Sequence, residues 1–180
     1  MTSILKVDTL QDASGTGSPY IKDAVLKVYF AEKTDTQVAA YGDGFEDITD
    51  LSLTITPLSN KSKFLVRANL FLSGNANFAY ARLVRDSTPI SLPDGHASFN
   101  RSTAHFGFAT HDAGTYNFAM ASSEKLDDPQ TASAITYKVQ FSARGDSGNA
   151  YVNRTIRDND NGNGYDQRGT SSLTVMEIGG

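Results

Sequence analysis

The chain has no cysteine and no tryptophan, and only three histidines and five prolines among its 180 residues. Without cysteine there is no disulfide, no thiolate nucleophile and no cysteine-ligated zinc. A chain of this length buries about 70% of its unfolded surface, so neither a cross-link nor a metal is needed to hold one domain together. Basic excess is missing as well. The net charge of −4 and pI near 5.3 exclude nucleic-acid binding through a general positive field. Lys61, Lys63 and Arg67 form the one local basic cluster, which fits a solvated turn. No apolar run approaches the ~20 residues of a bilayer-spanning helix. The first eight residues lack the basic-then-apolar order of a signal peptide. The expectation is a soluble protein, cytosolic or assembled there, with no membrane insertion and no nucleic-acid partner.

What is present is alternation. Leu51, Leu53 and Ile55 alternate with Ser52, Thr54 and Thr56, the two-residue period of a half-buried strand. Pro57 cannot donate to a ladder, Ser59-Asn60-Lys61-Ser62 is turn chemistry, and Phe64, Val66 and the run from Asn69 to Leu72 resume a strand. The pattern predicts a β-hairpin. Ile135-Thr136-Tyr137-Lys138-Val139-Gln140-Phe141 repeats the alternation, and Leu173 and Val175 do so near the end. Further candidates are 24–30, 36–41, 78–84, 106–108, 116–120 and 151–155, with turns at 42–44, 86–89, 124–129 and 144–148. No segment carries a helical stripe. Eight to ten short strands between Gly, Pro and Asn turns predict an all-β fold, a jelly-roll-like β-sandwich with an extended N-terminal arm. The arm and its linker occupy 1–23 and the head 24–180. Ile4, Leu5, Val7 and Leu10 are cut off from the core by Asp12-Ala13-Ser14-Gly15-Thr16-Gly17-Ser18-Pro19, so they are expected to bury against another chain.

Few constellations suggest chemistry. Asp158, Asp160 and Asp166 with Gly162 and Gly164 invite a calcium loop, but Gly162 stands where an EF-hand ligand belongs and Asn163 where its glycine belongs. A solvated turn is the expectation, with no metal and no cofactor. His105 and His111, beside Asp112, have no nucleophile elbow or metal motif to complete a mechanism, and His96 stands apart. Asp43, Glu46, Asp47 and Asp50 are ordinary loop acids, with nothing to single out a glycosidase pair. Arg144-Gly145-Asp146 is good turn chemistry, and the acceptor patterns at Asn60, Asn100 and Asn153 have no consequence without secretion. No catalytic residue is expected. Phe106, Phe108, Tyr116 and Phe118 make a stretch more apolar than one face of a small sandwich requires, and are expected to line a homo-oligomer interface.

Three segments together resemble small virion structural proteins of tailed bacteriophages, marine ones especially. They are Ser3-Ile4-Leu5-Lys6-Val7-Asp8-Thr9-Leu10-Gln11-Asp12 at the start, Ile48 to Pro57 with Ser62-Lys63-Phe64-Leu65-Val66 in the middle, and Asn153-Arg154-Thr155 with Ser171-Ser172-Leu173-Thr174-Val175-Met176-Glu177-Ile178 at the end. The span 75–126 carries no such match, and the resemblance places a member's individual surface there. It implies a non-enzymatic head-fibre, tail-fibre or capsid-decoration protein located in the virion. Its partners would be other virion proteins of capsid or tail and itself, as a homo-oligomer with three-fold symmetry on the pattern of jelly-roll appendages. The alternative is a fibre tip that binds a host receptor or surface glycan.

Overall fold

The computed structural model describes residues 21–90, 104, 106–109, 118–145, 147–162 and 164–180. Among them there is no helix. The strands are β1 (Val25–Lys33), β2 (Gln37–Ala40), β3 (Glu46–Ile55), β4 (Lys63–Gly74), β5 (Phe78–Arg85), β6 (Thr88–Pro89), β7 (Phe106–Ala109), β8 (Ala119–Asp127), β9 (Ile135–Arg144), β10 (Asn149–Val152) and β11 (Ser171–Ile178). Every pairing between them is antiparallel. In the first sheet β1, β11, β4 and β8 run side by side. β10 continues along β4 beyond β11 and carries β2 on its far edge. The second sheet orders β3, β9 and β5, with β6 and β7 sharing the free edge of β5. The two sheets form a β-sandwich.

Alternation builds the core, as the sequence predicts. Phe64, Val66, Ala68, Leu70 and Leu72 of β4 and Leu173 and Val175 of β11 face Ile135, Tyr137, Val139 and Phe141 of β9, all buried in one cluster. Phe64 and Tyr137 meet across the sheets with ring centroids 5.5 Å apart. Tyr137 donates to Asp127 Oδ2 at 2.7 Å, and Arg85 Nη1 reaches the same oxygen at 2.6 Å. This three-residue clasp ties β9 and β5 to β8 of the other sheet. Burial first, then the hydrogen bond to Asp127 and its negative charge, push the Tyr137 phenol far above its ordinary range.

Three expectations are corrected. The segments around 51–55 and 64–72 are strands but not a hairpin: β3 pairs with β9 in the second sheet, and β4 with β11, β10 and β8 in the first. The connection crosses the sandwich, held by Leu58 N donating to Glu177 Oε1 at 2.6 Å. Each strand has one apolar face, and pairing within a sheet or facing across the core satisfies that face equally well. The charged stretch 124–129 does not turn throughout. Glu124 to Asp127 continue β8, with Glu124 opposite Arg67 and Leu126 opposite Leu65. The strand beginning at 151 stops at Val152 because Asn153 takes a left-handed φ of 62°.

Candidate interaction surfaces

Each sheet has one face in the core and one facing out, and the two outer faces are chemically opposite. On the first sheet, register fixes which side chains share a row. Val28 pairs with Met176, Met176 with Leu65, and Leu65 with Leu126, so one apolar row crosses all four strands. Beside it on one flank lie Val25, Ile178 and Lys63, and on the other Phe30, Thr174, Arg67 and Glu124. Val28 is 56%, Phe30 60% and Leu126 52% exposed. At the far end of β8 Met120 is as open as Phe30, while Phe118 stacks on Phe71 with centroids 4.6 Å apart.

The second sheet's outer face is polar and internally paired. Asp47 on β3 accepts from Lys138 Nζ at 2.7 Å and from Gln140 Nε2 at 2.6 Å. Gln140 Oε1 in turn accepts from Arg82 Nε at 2.8 Å, so the ladder crosses β3, β9 and β5. The Arg82 guanidinium lies 4.1 Å from the centroid of Phe45. Burial opposes ionisation of Asp47, but the Lys138 and Gln140 hydrogen bonds and the Lys138 charge outweigh it and hold the carboxyl below its usual range. Thr54 and Thr136 join the next row at 2.9 Å. Phe78 and Tyr80 stack at the β5 end, 5.5 Å between centroids. Gly107 lies opposite Tyr80, where an added Cβ would meet the Ala79 carbonyl oxygen at 2.2 Å.

The loop between β10 and β11 closes on itself. Arg168 forks onto Asp158, Nε to Oδ1 at 2.8 Å and Nη2 to Oδ2 at 3.0 Å, and Arg154 Nη1 adds an ion pair at 3.6 Å. The Arg168 hydrogen bond, above all, holds the Asp158 carboxyl below its usual range. Arg157 Nε stands 3.4 Å from Asp166 Oδ1. Asp158, Asn159, Asp160, Asp166 and Arg168 line an open depression of about 360 Å³. Its acids therefore face arginines, and among the described residues no group of three His, Asp or Glu is placed to hold a metal. The sequence shows these arginines, but nothing in their spacing announces that they pair with Asp158 and Asp166.

Asn153 anchors the loop's base. It is fully buried, donates from Nδ2 to the carbonyls of Lys33 at 2.8 Å and Asp35 at 2.9 Å, and accepts from Ser171 Oγ at 2.6 Å. Its acceptor pattern for a glycan is thus closed in the folded chain. The Lys33 side chain is also fully buried, with its ammonium bound to Asp35 and, at 2.6 Å, to Thr49 Oγ1.

Only some of the residues singled out by sequence lie among the described ones. Ile4, Leu5, Val7 and Leu10, the three histidines, Tyr116 and Asp146 lie outside the described residues. Residues 21–23 are tied to the sandwich, Asp23 N donating to Gly179 O at 2.7 Å. Phe106 packs against the core from the second sheet, whereas Phe118 borders the first, so these two do not share a face. Phe108 contributes its backbone to the pairing of β7 with β5. Among the described residues no helix is long and apolar enough to cross a membrane. Comparison with protein-family models finds none that matches the chain, and comparison with curated proteins finds no relative.

Proposed function

We propose that the protein is a non-enzymatic virion structural subunit of a tailed bacteriophage. In this reading it is attached through its N-terminal arm, with Ile4, Leu5, Val7 and Leu10 as anchors, to a neighbouring capsid or tail protein and assembled with copies of itself as a fibre or decoration subunit. The observation that carries the reading is the apolar row on the outer face of the first sheet, an exposed patch of the kind that marks protein–protein contact. The strand order supports it. Numbering β1, β3, β4, β5, β7, β8, β9 and β11 from one to eight gives sheets 1-8-3-6 and 2-7-4-5. We read this as two Greek keys wound into a jelly roll, an architecture much used in viral capsids and lectins. The resemblance at both ends and the middle of the sequence points the same way.

The test is incorporation. Deleting residues 1–20 is expected to leave a folded, soluble head that no longer joins the particle. Incorporation of the truncated chain at normal copy number would overturn the anchoring role.

The second reading, a receptor- or glycan-binding tip, is favoured by Phe78 and Tyr80 standing beside Arg82 and Gln140 on an open sheet face. Aromatic rings next to hydrogen-bonding groups suit sugar faces and hydroxyls. Glycan-array binding that Tyr80→Ala abolishes would move the assignment to this reading.

A further inference from the structure

The outer face of the first sheet is self-complementary, and we propose that it is a two-fold interface between copies of this chain. In this arrangement β1 of one copy lies over β8 of the other, and β11 over the other's β4. The inference rests on the homo-oligomer part of the reading above and not on its virion part. It replaces the three-fold symmetry that the resemblance implies.

Size permits it. Four strands at about 4.8 Å spacing and nine residues at about 3.3 Å rise give a face of roughly 570 Å². Two such faces remove about 1,100 Å², just past the roughly 1,000 Å² a specific interface must clear. The apolar row supplies the fit. Because Val28, Met176, Leu65 and Leu126 span the sheet from edge to edge, the row superposes on its own copy under a two-fold axis lying either along the strands or along the row itself.

Charge chooses between the two axes. An axis along the row turns each strand end for end over itself, which sets Arg67 over the partner's Lys63 on the central strand. Like charges facing each other across a closing interface are costly. An axis along the strands sets Arg67 over the partner's Thr174, Lys63 over the partner's Ile178, Glu32 over the partner's Ser122 and Glu124 over the partner's Phe30. No charge then meets its own sign. Val28 lies over the partner's Leu126, and Met176 over the partner's Leu65. The same axis stacks the sheets with strands aligned, the ordinary geometry of face-to-face β packing.

The test is a charge-pair rescue on the full chain, with mass read by light scattering and sedimentation. The wild type should be a dimer at micromolar concentration. Val28→Glu and Leu126→Lys each place one charge in the row, and each should weaken dimerisation at least about 30-fold, the scale of a central interface residue. The double variant should dimerise again, because each introduced carboxylate then meets an introduced ammonium of the other copy. Within one copy the two positions are three strand spacings apart, about 14 Å, too far to pair. Both residues are more than half exposed, so unchanged circular dichroism and melting should verify the fold of each variant. Ser52→Lys, on the second sheet's outer face, should leave the dimer intact. A monomeric or trimeric wild type would overturn the proposal. So would single variants that still dimerise, a double variant that fails to recover, or a dimer that Ser52→Lys dissociates. Failure of the virion reading would appear separately, as a dimer that never enters a particle.

Discussion

The two sheets share one core and differ on their outer faces. The second sheet turns outward a ladder in which Asp47, Lys138, Gln140 and Arg82 are bound to one another, so its polar groups are satisfied by its own chain. The first sheet turns outward a row of aliphatic side chains in which Val28 and Leu126 are more than half exposed, with Phe30 equally open on its flank. A self-satisfied polar face gains little by being covered, because its groups would exchange water for nothing. An apolar face gains with every square ångström covered, at about 25 cal/mol per Å². In our proposal the inner faces serve folding and one of the outer faces serves association.

The two sheets meet at the Asp127 clasp. Asp127→Ala leaves the largely buried Arg85 guanidinium and the buried Tyr137 hydroxyl without their common acceptor. We expect a loss of about 2–4 kcal/mol in urea unfolding, the cost of stranding buried charge and hydroxyl together. Tyr137→Phe removes only one hydrogen bond and should lose about 1 kcal/mol. The sign of the pH dependence follows from the raised phenol. The unfolded chain releases this proton near pH ~10 while the folded chain keeps it, so stability is present below pH ~10 and falls as pH rises above it. Tyr137→Phe should flatten that alkaline decline. A decline of equal slope in both proteins would show that the clasp is not what holds the sheets together there.

The second expectation isolates the polar face. Asp47 has a depressed carboxyl, so its contribution is present above the unfolded value of about 3.9 and is lost as pH falls through the lower folded value. Wild type should therefore lose more stability between about pH 4 and pH 2 than Asp47→Asn. Because the Asp47 side chain is half exposed, the difference should stay under about 1 kcal/mol, the range of surface ion pairs. Equal acid curves would mean that the ladder is decoration on a face held by its backbone alone.

The sequence announced the strands at 51–55 and 135–141 and which of their residues face inward, because alternation is a local property, but it misplaced β8, whose charged end at 124–127 carries no alternation. It did not announce partners. The same alternation at 51–55 and 64–72 fits a hairpin or a crossing between sheets, and only the long-range pairing with β9 and β11 decides. For the same reason the outer row was illegible. Val28, Leu65, Leu126 and Met176 are spread across the chain, Val28 and Leu126 exposed and Leu65 and Met176 half-buried, and nothing joins them until register aligns them. The sequence drew attention instead to Phe106–Phe118, whose aromatic density is local. The loop at 158–168 was legible as polar and acidic, but its closure by Arg154, Arg157 and Arg168 depends on a backbone bridge between Arg154 and Arg168 that spacing does not reveal.

The smallest expected effect on stability belongs to Val28 on the first sheet's outer face. Val28→Thr keeps shape and β-branching and exchanges one methyl for a hydroxyl on a strand that favours either residue. On a face open to water in the single chain, the hydroxyl is solvated in the folded and unfolded states alike. The midpoint of monomer unfolding should then move by no more than about 0.5 kcal/mol, as for exposed substitutions elsewhere. In an assembled face the same hydroxyl is driven between its own chain's Met176 and the partner's Leu126 with nothing to hydrogen-bond, so association should weaken while folding does not. Separating the two requires only unfolding curves across a roughly hundred-fold range of protein concentration. A large loss at every concentration would mean that Val28 is already covered by its own chain, and the outer face would then belong to the fold rather than to assembly.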